Sequence, residues 1–185
     1  MNTLQPRWGI NFPRPTSASG GLPLISAPVP ERLIIPLNQS MGVHAKPIVT
    51  TGERVLKGQP LTAIEDNAPG ARIHASSSGI VRNIAAGPVT GRDNAIRVEI
   101  ETDGKDQPWS GYQPIPDPQN MSAIQLRETI NEAGIVGLGG AMFPTDIKLN
   151  SGLAIARLIL NGVECEPRIN CDDALMQTAA GRILA

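Results

Sequence analysis

From residue 32 onward the chain sets short apolar runs between glycine breaks: RLIIPL, then PIVTTGERVLKGQPLTAIE, then ARIHASSSGIVRNI, then NAIRVEIET. Runs of this length, rich in Val and Ile and bounded by Gly and Pro, predict strands. The last is the clearest, with Ile96, Val98 and Ile100 on one face and Arg97, Glu99 and Glu101 on the other, the period-two signature of a half-buried strand. The pattern predicts a small β domain over 31–102. Residues 1–30 are proline-rich and show no sustained hydrophobic period, so they are expected to form an extended arm. Residues 103–120, DGKDQPWSGYQPIPDPQN, concentrate Pro, Gly and Asp and read as a linker.

A different period begins after that linker. Ser122 and Gln125 form an S-x-x-Q capping box, Ala123, Leu126, Ile130 and Ala133 recur at helical spacing, and Gly134 supplies a C′ stop. The glycine-rich segment IVGLGGAMFPT follows, and then the apolar run LAIARLILN, which predicts a buried strand. A last helix, ALMQTAAGRILA, is expected to be capped by Asp172 and Asp173. One strand with two or three helices is less than a covered sheet requires, so 121–185 reads as the start of an α/β domain.

Composition narrows the classes. Net charge is −1 over 185 residues, with both signs interspersed, which argues against a nucleic-acid surface. The longest apolar stretch is eight residues, Leu153 to Leu160, and contains Arg157, against the ~20 needed to cross a bilayer. Pro6, Pro13 and Pro15 break the N-terminus, so no export leader is expected there. Only two cysteines occur, Cys165 and Cys171, which fits a reducing compartment better than a disulfide framework.

The β domain resembles the barrel-sandwich fold of biotinyl and lipoyl carriers, through its V-x-x-G-Q-x-L turn and its later A-x-x-S-G-x-V turn. A carrier displays a lysine between those halves, because the ε-amine is what is acylated. Here Asp66, Asn67, Ala68, Pro69, Gly70 and Ala71 intervene, so the domain is expected to be scaffold.

Candidate chemistry lies later. In GIVGLGGAMFPTDIK, Gly137, Gly139 and Gly140 let the backbone approach a ligand, successive N–H groups can form an anion-binding concavity, and Lys148 can add positive charge. In LILNGVECEPRINCDDALM, Asn161, Glu164 and Glu166 follow the predicted strand, where α/β sheets place their ligands. No side chain is expected to act as a nucleophile.

These two segments, GLGGAMFPT-x-x-K and LNGVECEP followed by DD-x-L-M, resemble the flavin and NADH loops of RnfC, a component of the Rnf (Rsx) ion-translocating electron-transport complex. They are more distantly similar to the NADH-binding flavoprotein subunit of respiratory complex I. The resemblance implies a mixed α and β architecture: a barrel-sandwich hybrid domain followed by the start of a Rossmann-like FMN- and NADH-binding domain. It implies a peripheral subunit on the cytoplasmic side of the bacterial inner membrane, associated with other Rnf subunits, taking hydride from NADH onto FMN and feeding [4Fe–4S] clusters. Gly137, Gly139, Gly140 and Lys148 would hold the flavin phosphate, Asn161 would bond to the flavin, and Glu164 and Glu166 would line the flavin–nicotinamide site.

Two features depart from the family's pattern. Its loop reads GGAGFPT, and Met142 stands where that last glycine does. Cluster binding needs Cys-x₂-Cys-x₂-Cys-x₃-Cys-Pro runs, and 185 residues contain none, so the chain is expected to stop ahead of the cluster ligands. The alternative reading is therefore a truncated, non-catalytic paralogue acting as a binding or assembly module. The remaining chemistry-bearing residues have plainer expectations: His44, His74 and the cysteines as structural groups, Ser76, Ser77 and Ser78 as turn residues, and no metal site.

Overall fold

The computed structural model describes residues 22–42, 45–64, 69–111, 113, 115, 117–138, 142–152, 155–164 and 169–184. Ala27–Ala154 forms one compact unit, and 155–184 belong to a second. The arm up to residue 21, His44, Asp66 to Ala68, Gly139, Gly140, Cys165 and Glu166 lie outside the described residues.

In the larger unit, β1 (Arg32–Pro36), β3 (Arg54–Val55), β5 (Gly79–Val89) and β6 (Arg92–Thr102) form an antiparallel sheet in the order β1-β6-β5-β3. A two-stranded pair, β2 (Lys46–Pro47) with β4 (Thr62–Ala63), completes the β elements. The core is aliphatic: Ile35, Leu37, Val49, Val55, Leu61, Ile73, Ala75, Val81, Val98 and Ile100, with Leu33 and Ile84 packed against it. Val and Ile dominate because their branched side chains fit a pleated surface, and burying each contributes roughly 1.5–3 kcal/mol.

The alternation expected for β6 holds at Val98 and Ile100, both fully buried, and fails at Ile96, which is 49% exposed. Ile96 faces Ala86 across the ladder, where β5 carries only Ala85, Ala86 and Gly87. Here the neighbouring Ala95 takes the buried position, and the core residue Leu37 donates its N–H to the Ile96 carbonyl at 2.9 Å.

Residues 103–109, the start of the stretch that reads as a linker, return to the sheet. Lys57 N–H donates to the Gln107 carbonyl and Trp109 N–H to the Lys57 carbonyl, both at 2.9 Å. Arg54 pairs with Asp103 at 2.9 Å, Lys57 pairs with Asp106, and the Ser77 and Ser78 hydroxyls donate to Asp106 (2.8 Å) and Asp103 (2.6 Å). Ser77 and Ser78 are buried for this purpose. The Ser78 hydroxyl first, then the Lys105 backbone N–H and Arg54, hold the Asp103 carboxyl below its usual range. Lys57, then Ser77, do the same for Asp106.

The helix α1 (Ala123–Glu132) starts on the capping box: Gln125 N–H donates to the Ser122 hydroxyl (3.2 Å) and Ser122 N–H to the Gln125 side-chain oxygen (2.9 Å). Gly134, at φ +66°, ends it. A one-turn helix, α2 (Thr145–Lys148), follows.

In the second unit the buried strand expected over 153–161 is corrected: residues 155–164 form no strand, and Ile155, Leu158, Ile159 and Leu160 are 57–79% exposed. A strand needs a neighbour to take its backbone hydrogen bonds, and the described residues of this unit contain no other strand. The helix α3 (Cys171–Leu184) is present, but Asp172 and Asp173 stand inside its first turn instead of capping it.

Candidate functional site

The two described sides of the glycine-rich segment, 135–138 and 142–145, pair as the stem of a hairpin. Gly137 N–H donates to the Phe143 carbonyl (2.9 Å) and Thr145 N–H to the Ile135 carbonyl (3.1 Å), with a bridge between Val136 and Pro144. Leu138, on the way to the tip, is 95% exposed. Helix α2 begins directly after the hairpin and sends Lys148 back over it. A Cβ added at Gly137 would touch the Lys148 ammonium at 3.6 Å and the Phe143 carbonyl at 3.8 Å. Two of the sequence-expected site residues, Gly137 and Lys148, are thereby brought together. Lys148 is exposed, as a group meant to meet an anion must be.

Met142 re-enters the hairpin at φ +44°. A left-handed backbone costs an L-residue roughly 1–2 kcal/mol, and glycine is free of that penalty. The conformation is thus the one that the family's glycine would adopt without strain. The Met142 side chain is 40% exposed.

The β module braces this hairpin. Met41 N–H donates to the Met142 carbonyl at 3.1 Å. At the helix end, a Cβ on Gly134 would collide with the Arg72 carbonyl and lie 3.3 Å from the His74 ring, and Arg72 pairs with Glu132 at 3.6 Å. Partial burial lowers the His74 pKa, opposed by the nearby Glu132 backbone and helped by a smaller push from the Arg72 charge. A small pocket lined by Gln39, Arg72, His74, Ser76, Gly134 and Val136 marks the seam.

Asn161 and Glu164 belong to the other unit. The Asn161 side-chain oxygen accepts from Val163 N–H at 3.0 Å, a local turn. Glu164 caps α3 from upstream: one carboxylate oxygen accepts from Asp172 N–H (2.9 Å) and Asp173 N–H (3.1 Å). The Glu164, Cys171 and Asp172 ligand atoms gather within 4.8 Å. Partial desolvation, then the Glu164 and Asp172 charges, push the Cys171 thiol up. The cap function that sequence reasoning gave to Asp172 and Asp173 therefore falls to Glu164. The signal was a carboxylate eight residues ahead of Asp172, which no local capping pattern covers.

Among the described residues the donor at the hairpin stem is the exposed Lys148 ammonium, because the Gly137 N–H is already given to the Phe143 carbonyl.

The larger unit is an antiparallel β module followed by a glycine-bearing turn and a lysine, and comparison with known proteins gives the chain a family. Residues 5–105, more than half the chain, match the RnfC barrel sandwich hybrid domain, and residues 130–185 match the Nuo51 FMN-binding domain. The chain belongs to the RnfC family. Proteins named as the C component of an ion-translocating oxidoreductase complex are similar to it across nearly its whole length. The one from Serratia proteamaculans is 40% identical over 95% of this chain, that from Yersinia enterocolitica 42% over 95%, and that from Pseudomonas aeruginosa 41% over 95%. The chain spans about a quarter of the length of these relatives, 25%, 25% and 23% respectively. No helix among the described residues is long and apolar enough to cross a membrane.

Proposed function

We propose that this chain is the flavin-loop part of an electron-transport subunit in an ion-translocating oxidoreductase complex. In this reading the β module is scaffold and the glycine hairpin receives the phosphate of FMN. Gly137, Gly139 and Gly140 give the backbone room, and Lys148 supplies charge to the phosphate. Asn161 bonds to the flavin, and Glu164 and Glu166 line the face where NADH docks. These residues bind and orient; when bound, FMN supplies the ability to take a hydride and release electrons singly. The domain they begin is of the α/β, Rossmann-like kind. The observation that carries the reading is the Lys148 ammonium held over Gly137, within a stretch matching an FMN-binding domain.

The partners in this reading are the other subunits of the complex at the cytoplasmic face of the bacterial inner membrane, with NADH as electron donor. Four thiolates are needed for each [4Fe–4S] cluster, and these residues hold two cysteines. The cluster ligands are therefore expected outside this stretch.

A second reading, a non-catalytic assembly module, is favoured by Met142, which puts a side chain in left-handed backbone beside the glycines, and by Glu164, whose carboxylate already holds α3. Calorimetric titration of the purified chain with FMN and with NADH separates the two. Heat and saturation with FMN support the flavin site; no FMN binding by this chain, or by Met142→Gly, leaves the assembly reading.

A further inference from the structure

We propose that the β module is a positioning element for the glycine hairpin, acting through the loop 38–42 and through His74, so that flavin-loop geometry is set from outside the flavin-binding segment. The proposal deepens the flavin reading and rests on it only for the affinity part of its test.

Three contacts carry it. Met41 N–H donates to the Met142 carbonyl at 3.1 Å, holding a residue that sits in left-handed backbone. The donor is itself fixed: the next residue, Gly42, lies at φ +114°, and a Cβ there would collide with the Pro69 carbonyl. Only glycine satisfies both demands, so the loop has one way to lie on the module. At the hairpin's other root, Gly134 packs on the Arg72 carbonyl with the His74 ring beside it, 3.3 Å from where a Cβ would stand. The chain thus leaves the module's surface at Gly134, makes the hairpin, and is caught again at Met142. Arg72 and Glu132 are the charged groups beside His74, paired at 3.6 Å.

A hairpin pinned at both of its described sides has fewer conformations to lose on binding, which is how preorganisation raises affinity. The Met41 bond offsets the strain at Met142, and the anion-facing groups then keep a fixed spacing. His74, Met41 and Gly42 are positioning residues, since none of them is among the groups proposed to meet the cofactor.

The test uses the whole chain with Gly42→Ala and His74→Ala. Amide hydrogen exchange is read at the hairpin (Gly137 and Thr145) and in the core (Leu61 and Val81). FMN affinity is measured beside riboflavin, which lacks the phosphate. Expected is at least tenfold faster exchange at Gly137 and Thr145 with core exchange unchanged, and a matching loss of FMN affinity. Should Gly42→Ala fail to fold, His74→Ala decides alone. Unchanged hairpin exchange, or hairpin and core loosening together, overturns the proposal. A wild-type chain that does not bind FMN would sink the flavin reading while leaving the exchange result to judge the bracing.

Discussion

Gly134 and Gly104 offer a controlled pair for measuring how tightly helix α1 sits on the β module. Both have the same left-handed backbone, φ +66° and φ +67°. A Cβ on Gly104 would meet nothing, whereas one on Gly134 would fall inside 3.0 Å of the Arg72 carbonyl, a separation real Cβ atoms essentially never show. Replacing glycine by alanine in left-handed backbone costs roughly 1–2 kcal/mol. About 0.4–1 kcal/mol returns because the unfolded chain loses freedom, so Gly104→Ala should destabilise by about 1 kcal/mol. Gly134→Ala carries the same cost plus the overlap with a backbone atom that cannot rotate away, typically about 1–3 kcal/mol more. Urea denaturation reads the difference: at an m-value of roughly 1–3 kcal/mol/M, a gap of about 2 kcal/mol moves the midpoint by about 1 M. Equal losses at the two positions would show that the helix end does not rest on Arg72, and the bracing argument would fall with it. Removing the Arg72–Glu132 pair should matter far less, since Glu132 is 68% exposed and such pairs contribute at most about 1 kcal/mol.

Three further outcomes follow from the charges. His74 has a folded-state pKa below its ordinary value of 6.5, so the unfolded chain takes up the proton first. Stability should be flat above about pH 7 and fall as pH drops from about 6.5 through the lower folded value; calorimetric melting should show that slope, and its persistence in His74→Ala would contradict the assignment. Asp103 and Asp106 are depressed below 3.8, so their contribution is present above that pH and lost only in stronger acid. Ser78→Ala, by leaving Asp103 without its hydroxyl donor, should weaken the chain at neutral pH and flatten the acid limb, as read by acid titration of ellipticity. At α3, Glu164→Gln should weaken the cap by up to about 1 kcal/mol and speed alkylation of Cys171 severalfold, because a charge that raises the thiol pKa is gone; an unchanged rate with iodoacetamide would remove Glu164 from that environment.

What could be read from sequence was local. The Ser122–Gln125 box needs only four consecutive positions, and Val98 and Ile100 declare their face by alternation, so both were legible. The docking of 103–109 was not, because Arg54 meets Asp103 across 49 positions and Ser77 meets Asp106 across 29. Their composition, rich in Asp and Gly, gives the same signal as a solvated linker. LAIARLILN has the composition of a buried strand, yet a strand exists only with a neighbour, and composition does not supply one. In the candidate site, Gly137 and Lys148 could be paired from a motif, because one hairpin and one helical turn separate them. Met41 could not, since its part in the site is a backbone N–H, and a backbone donor leaves no mark in the side-chain pattern.

The ratio of riboflavin to FMN dissociation constants, measured for the wild-type chain and for Lys148→Ala, tests the central claim most directly. The two ligands differ by one phosphate, so the ratio isolates the contribution of the hairpin and its lysine from everything that touches the isoalloxazine ring. Charge-assisted hydrogen bonds contribute roughly 1.5–3 kcal/mol, which predicts FMN binding at least about tenfold tighter than riboflavin and a ratio that falls toward one in Lys148→Ala. Equal binding of the two flavins by the wild-type chain, or a ratio untouched by the substitution, would contradict a phosphate site at Gly137 and Lys148.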